Sequence, residues 1–217
     1  MSKPKVLELF AGSCTFSKEA ERLGCETFRS DYKEFEGIDY AVNILDFDIK
    51  KVPFKPDIIW ASPPCTTFSV MRIGSNWNFD NTPKNSKACL GLAYVFKTVE
   101  IIKALEPKYW YIENPRGKLR KLNAVEGLDR ATVWYCQYGE SRAKPTDIWS
   151  NNIRSLINPD GWQPRPECSN GNPNCHHDRA PRGVTTTGTQ ALKNNYERSK
   201  LPLELCTEIL TQTLKNE

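Results

Sequence analysis

The stretch "DIIWASPPCTTFSV", Asp57 to Val70, is the most informative in the chain. Its apolar part, Ile58 to Ala61, does not alternate with polar residues, the pattern of a strand covered on both faces in a parallel sheet. Pro63 and Pro64 end it, because proline cannot supply the ladder's N–H. Cys65 stands just beyond, on a strand-to-loop turn.

Toward the N-terminus, "KVLELF" (Lys5 to Phe10) is another short strand, followed by turn material in "AGS". "FSKEAERLG" reads as a helix with Thr15 as N-cap and Gly24 as its stop. "ETFRSD" (Glu26 to Asp31) is a strand ending in an acid. On the other side, Cys89, Leu92, Val95, Val99 and Ile102 recur at helical spacing, giving an amphipathic helix that stops at Pro107. "YWYIEN" (Tyr109 to Asn114), "ATVWYCQYG" and "TDIWSN" supply further strands. Strands alternating with helices predict an α/β fold with a doubly wound, mainly parallel sheet. In such sheets ligands bind beyond the carboxyl ends of the strands. "FAGSCT", Asp31, "SPPC" and "ENP" should therefore meet at one crevice.

From about residue 156 to 190 the chain is rich in Pro, Asn, Gly and Arg and shows no periodicity. The expected division is a catalytic and cofactor-binding unit over 1–155, a small irregular recognition segment over 156–190, and a C-terminal helix over 191–217 packing back on the first unit.

The 217 residues suffice for one sizeable domain, and 39% hydrophobic with 26% charged residues is an ordinary globular balance. The net charge of +4 permits a local basic face for nucleic acid without demanding one. No apolar run approaches the roughly 20 residues of a membrane span. The opening Met1-Ser-Lys-Pro-Lys lacks a signal-peptide core, so the expected location is the cytoplasm. Of the eight cysteines, Cys25, Cys89 and Cys206 lie in apolar patterns and read as small buried hydrophobes.

Cys65 alone reads as structural, metal-binding or nucleophilic. Glu113, ending an apolar strand, is placed for proton transfer. Arg142 and Lys144 alternate after an aromatic strand and alone would be a solvated pair of charges. Cys168, Cys175, His176 and His177 are of the right types to close a tetrahedral zinc site. Their spacing does not match common zinc fingers, however, and adjacent histidines do not easily bind one ion, so zinc and a loop held by packing both stay open.

In order, these segments resemble the DNA cytosine-5 methyltransferases. "LFAG" (Leu9 to Gly12) looks like that family's opening cofactor motif, "PPC" with Phe68-Ser69 like its nucleophile motif, and "ENP" like its Glu-Asn-Val motif. "YGESRAK" looks like a shortened Tyr-Gly plus Gln-x-Arg-x-Arg segment, and "SKLP" (Ser199 to Pro202) like the closing motif. The resemblance covers nearly the whole chain outside 156–190. It implies a Rossmann-like fold and S-adenosylmethionine as cofactor. Methyl transfer to C5 of cytosine would proceed through a covalent Cys65 adduct at C6 of a flipped base. By resemblance Cys65 is the nucleophile, Glu113 donates a proton at N3, and Arg142 holds the base.

The cofactor would be met by Phe10, Ala11, Gly12 and Ser13, by Asp31 at the ribose, by Tyr32, Asn43 and Ile44 at the adenine, and by Pro63 and Ser199. Asn43 replaces a family acid, whose role Asp46 could take. Residues 66–87 would form a lid. Arg72, Lys84, Arg116, Lys144, Arg165, Arg179 and Arg182 are the candidate nucleic-acid contacts. The expected partner is double-stranded DNA, with RNA as the alternative substrate and no membrane, for a monomeric chain. The small size resembles standalone phage enzymes, which would place the protein in a bacterial host's cytoplasm. A catalytically inert methyltransferase-like binder is the non-enzymatic alternative.

Overall fold

The computed structural model describes residues 2–178 and 195–215. Seven strands form one sheet: β1 Lys5–Leu9, β2 Glu26–Asp31, β3 Tyr40–Ala41, β4 Ile58–Ala61, β5 Tyr109–Pro115, β6 Arg130–Trp134 and β7 Pro145–Ser150. Their order is β3-β2-β1-β4-β5-β7-β6. The first five are parallel neighbours, and β7 runs antiparallel to both β5 and β6. Helices cover both faces, so the architecture is the Rossmann-like one expected from the alternation of strands and helices.

β4 shows why its sequence does not alternate. Ile58 and Trp60 enter the core under α1 (Thr15–Arg22) and α5 (Leu203–Lys215), where Trp60 stacks on Phe16 at 4.4 Å. Ile59 and Ala61 enter the opposite core, under α3 (Ser86–Leu105). Each side of the strand meets an apolar layer, so polar residues have no position to occupy. On the α5 face, Leu205, Cys206, Ile209 and Leu210 are fully buried.

Several local expectations change. Cys14, not Thr15, precedes α1, in a left-handed conformation with no side-chain cap. The buried face of α3 is carried by Ala88, Gly91, Val95, Thr98, Ile101 and Ile102, which turns Cys89 out to solvent instead of into the core. "ATVWYCQYG" is strand only to Trp134; Tyr135–Tyr138 tighten into a 3-10 turn ended by Gly139 at φ 83°. The described part of the irregular segment holds neither helix nor strand, only an isolated bridge between Ile153 and Trp162. Among the described residues, no helix is long and apolar enough to cross a membrane.

One core position is occupied by an acid. Glu8 of β1 is buried and accepts from both the backbone N–H and the hydroxyl of Ser17. Burial outweighs those bonds and raises its carboxyl from 4.5 to about 7. Between those values the folded chain keeps a proton that the unfolded chain releases. Stability therefore falls as pH rises from 4.5 to about 7 and stays level above. The span is worth about 3 kcal/mol. Glu8→Gln should remove this dependence: thermal melts at pH 5 and pH 8 should differ by roughly 6–12 °C more in the parent chain than in the variant. Equal pH shifts in both proteins would refute the assignment.

Candidate active site

The carboxyl edge of the sheet carries two adjoining features. The first is a cleft lined by Phe10, Ser30, Asp31, Tyr32, Val42, Asn43, Ile44, Pro64 and Tyr94. Its floor is the turn after β1, where Phe10, Gly12 and Cys14 all take positive φ, at 57°, 48° and 55°. Gly12 adopts this conformation freely, whereas Phe10 and Cys14 hold it against steric cost, as happens where a turn must pass close to a ligand. The Gly12 N–H donates to Asp31 Oδ2 at 3.1 Å, and the Lys33 N–H to Oδ1 at 3.1 Å. Burial nonetheless holds the Asp31 carboxyl above its usual value. Tyr32 lies 65% exposed beside it, an open aromatic face.

A buried carboxylate next to an open ring fits a nucleoside, with hydroxyls for the acid and a flat base for the ring. Five of the expected cofactor residues line this cleft: Phe10, Asp31, Tyr32, Asn43 and Ile44. Ala11 and Gly12 lie in the turn beneath it, and Ser13 bonds Thr15 at 2.8 Å. Three other candidates do not line it. Pro63 is buried, and Pro64 forms the wall in its place. Ser199 ends α4 (Asn195–Ser199) and donates to the Tyr196 carbonyl without lining the cleft. Asp46 is exposed and does not line it either, whereas Asn43 does, between Val42 and Ile44.

The second feature joins the ends of β4 and β5. Asn114, fully buried, donates from Nδ2 to the Pro63 carbonyl at 2.8 Å and so ties the thiol-bearing loop to β5. Glu113 is 5% exposed and accepts from the Tyr135 hydroxyl at 3.0 Å. Burial raises its carboxyl, opposed by the nearby Lys144 charge and by hydrogen bonds from Tyr135 and Ser62. Because β7 is antiparallel, its first residues lie at this same edge, with Pro115 opposite Thr146. The loop before β7 therefore delivers Arg142 and Lys144 to the crevice.

Lys144 adopts φ 25° and lies 4.3 Å over the Tyr135 ring. Its charge acts on both Glu113 and Cys65, and burial lowers its pKa. It thus faces the crevice. Arg142 is buried, 5.9 Å from the same ring, and pairs with Glu140 at 2.7 Å.

The remaining basic candidates divide. Arg72 is exposed, and Arg116 lies over the Trp134 ring at 5.1 Å. Lys84 is exposed but donates to the Gly74 carbonyl at 2.8 Å. Arg165 bonds Glu204, Glu208 and the Gln137 carbonyl and covers Tyr138, partners within the chain that anchor the irregular segment to α5. Arg179 and Arg182 lie outside the described residues.

The expected lid folds around Trp77, which stacks on Phe68 and donates to the Thr67 carbonyl at 2.8 Å. Val70, Met71 and Phe79 stand exposed at its tip. The cysteine–histidine expectation is also revised: Cys136 joins Cys168, Cys175 and His177, while His176 turns away to the Glu140 carbonyl at 3.1 Å.

Sequence reasoning missed Tyr135, Pro64, Tyr94 and Cys136. Pro64 stands in the quoted "PPC" motif and is legible there, whereas Tyr135, Tyr94 and Cys136 carry no local signal, since each matters only for what the fold brings beside it.

A family model described as C-5 cytosine-specific DNA methylase matches residues 5–128. The chain is 32% identical over 155 residues to a Frog virus 3 (isolate Goorha) protein named "Probable DNA (cytosine-5)-methyltransferase". That match covers 68% of this chain and 70% of the relative. It is 26% identical over 134 residues to the type II methyltransferase M.HpaII of Haemophilus parainfluenzae, covering 59% of this chain and 34% of that one. Among solved structures it is similar to the Entamoeba histolytica methyltransferase EhMeth, with 15% identity and a TM-score of 0.49. That similarity spans 69% of this chain and 53% of EhMeth.

Proposed function

The chain belongs to the C-5 cytosine-specific DNA methylase family, and from that premise we propose that it methylates C5 of cytosine in double-stranded DNA. The observation that carries the reading is the 2.8 Å hydrogen bond from Asn114 to the Pro63 carbonyl, which ties the loop bearing Cys65 to the end of β5 that carries the buried Glu113, beside the cleft lined by Asp31 and Tyr32.

S-adenosylmethionine, held by the Asp31 carboxylate, the Tyr32 ring and the walls at Asn43, Ile44 and Pro64, supplies the electrophilic methyl group. The target ring is inaccessible within a duplex and must be extruded into the crevice. The Cys65 thiolate adds to C6, and the ring electrons move toward N3. Glu113, whose burial favours the protonated form, donates its proton there, and C5 becomes nucleophilic. Lys144 attracts the thiolate and the carboxylate left after proton transfer. Arg142, aligned by Glu140, holds the ring oxygen. The methyl group would pass to C5 as its bond to the cofactor's sulfonium sulfur breaks, leaving a neutral thioether. Loss of the C5 proton to water then restores the C5–C6 double bond as the bond from sulfur to C6 breaks, and N3 returns its proton to Glu113. Arg72 and Arg116 contact phosphates, which fix register without reading sequence.

The test incubates the full chain with methyl-labelled S-adenosylmethionine and either duplex DNA or RNA of matched sequence. Label should appear at C5 of cytosine in the DNA, and DNA containing 5-fluorocytosine should form an adduct that survives denaturation. Label in RNA alone would overturn the substrate. Bound cofactor with no transfer to either polymer would overturn the reaction.

A further inference from the structure

The sulfurs of Cys136, Cys168 and Cys175 and a ring nitrogen of His177 all lie within 4.8 Å of one another. The Cys168 sulfur is 3.8 Å from His177 Nδ1. Zinc held at about 2.3 Å from sulfur and 2.0–2.1 Å from nitrogen sets the ligand atoms of a tetrahedron roughly 3.6–3.8 Å apart. A disulfide would need two sulfurs at about 2.05 Å, and none of the eight cysteines forms one. The donor set is therefore spaced for an ion, not for a covalent bond.

Its surroundings agree. The Gln137 amide approaches the sulfurs of Cys136 and Cys175 at 3.8 and 3.9 Å, and the Asn172 amide approaches that of Cys168 at 3.5 Å. N–H donors aimed at sulfur are the outer shell that thiolate ligands use. Cys136 belongs to the turn after β6, whereas the other three belong to the irregular segment. That segment also crosses the loop before β7, where the Asp178 N–H donates to the Ser141 carbonyl at 2.8 Å and His176 contacts the Glu140 carbonyl. Glu140 in turn pairs with Arg142.

We propose that Cys136, Cys168, Cys175 and His177 bind one structural zinc ion that clamps residues 168–178 onto the loop carrying Arg142. The four ligands close the coordination sphere and leave no open position for chemistry. The ion stabilises a segment that has almost no backbone ladder of its own.

The test is the metal content of the full chain purified without chelator, read by mass spectrometry. One zinc per chain is expected. Exchange with Co²⁺ should give sulfur-to-metal charge-transfer absorption together with the intense visible bands of a tetrahedral site. Cys136→Ser and His177→Ala should lose the metal, whereas His176→Ala and Cys89→Ser should keep it. A parent chain that takes up no zinc or cobalt would overturn the proposal. So would full stoichiometry in Cys136→Ser, or a disulfide among residues 136, 168 and 175 in non-reducing peptide maps. Should the ligand variants fail to fold, the parent chain's stoichiometry and cobalt spectrum decide the matter.

Discussion

Cys65→Ala should lower methyl transfer by at least about 10⁴-fold, since removing a nucleophile removes the covalent route as a whole. Binding of S-adenosylmethionine should be unchanged, because the cleft is lined by Pro64 and by elements on its other side, not by Cys65. Stability should move by less than about 0.5 kcal/mol, as expected of a truncation at a half-exposed loop position. A fold change and a chemical change are thereby separated within one variant. Glu113→Gln should cost about 10²–10⁴-fold, the range for a missing general acid. It keeps an acceptor for the Tyr135 hydroxyl but cannot release a proton. The adduct with 5-fluorocytosine DNA should vanish in Cys65→Ala and form slowly in Glu113→Gln. Turnover of Cys65→Ala within tenfold of the parent would end the covalent reading.

Arg120→Ala should destabilise the chain by about 3 kcal/mol, a fall in Tm of roughly 6–12 °C at this size. Asp147 is fully buried in β7 and accepts from Arg120 Nε at 2.9 Å, from its NH2 group, and from the Thr132 hydroxyl at 2.9 Å. Removing the arginine leaves a buried carboxylate with Arg130, 4.0 Å away, as its remaining ionic partner. The reverse change is milder. Arg120 is 26% exposed and can turn to water, so Asp147→Asn should cost about 1 kcal/mol. The double variant should cost less than the sum of the two. Denaturant melts of the four proteins form the cycle, and an Arg120→Ala loss below about 0.5 kcal/mol would contradict it.

The sheet and its crevice are largely legible in the sequence, because the signals there are local. An unbroken apolar run at 58–61 and prolines after it announce a doubly covered strand and its end, whatever lies elsewhere. Asp31 and Glu113 emerge from the same rule: Asp31 is the last residue of β2, and Glu113 lies two residues before the end of β5. Alternation with Arg142 makes Lys144 look like part of an exposed face, whereas its ammonium lies over the Tyr135 ring, a contact that no local pattern signals. The anchoring contacts of Arg165 are hidden for a related reason: its acidic partners, Glu204 and Glu208, lie about forty positions away on α5. Cys136 is hidden inside an aromatic run that reads as strand. Its proximity to Cys168 arises from the direction of β6, a tertiary fact that no spacing rule encodes. That the two adjacent histidines would not share one ion is legible from the sequence, and only His177 joins the three cysteines.

Because β7 runs against its neighbour β5, Ser150 leaves the sheet at the bottom rim, where the Asn151 side chain bonds the backbone at Lys108 and Trp110. The polypeptide must therefore climb the full depth of the sheet, about 20 Å for six residues, before it regains the upper rim at Glu140. Trp162 and Arg165 are the pegs on that climb, set against α5. An insertion into this strap should then be tolerated above Arg165, where the strap has already been fastened, and not below it.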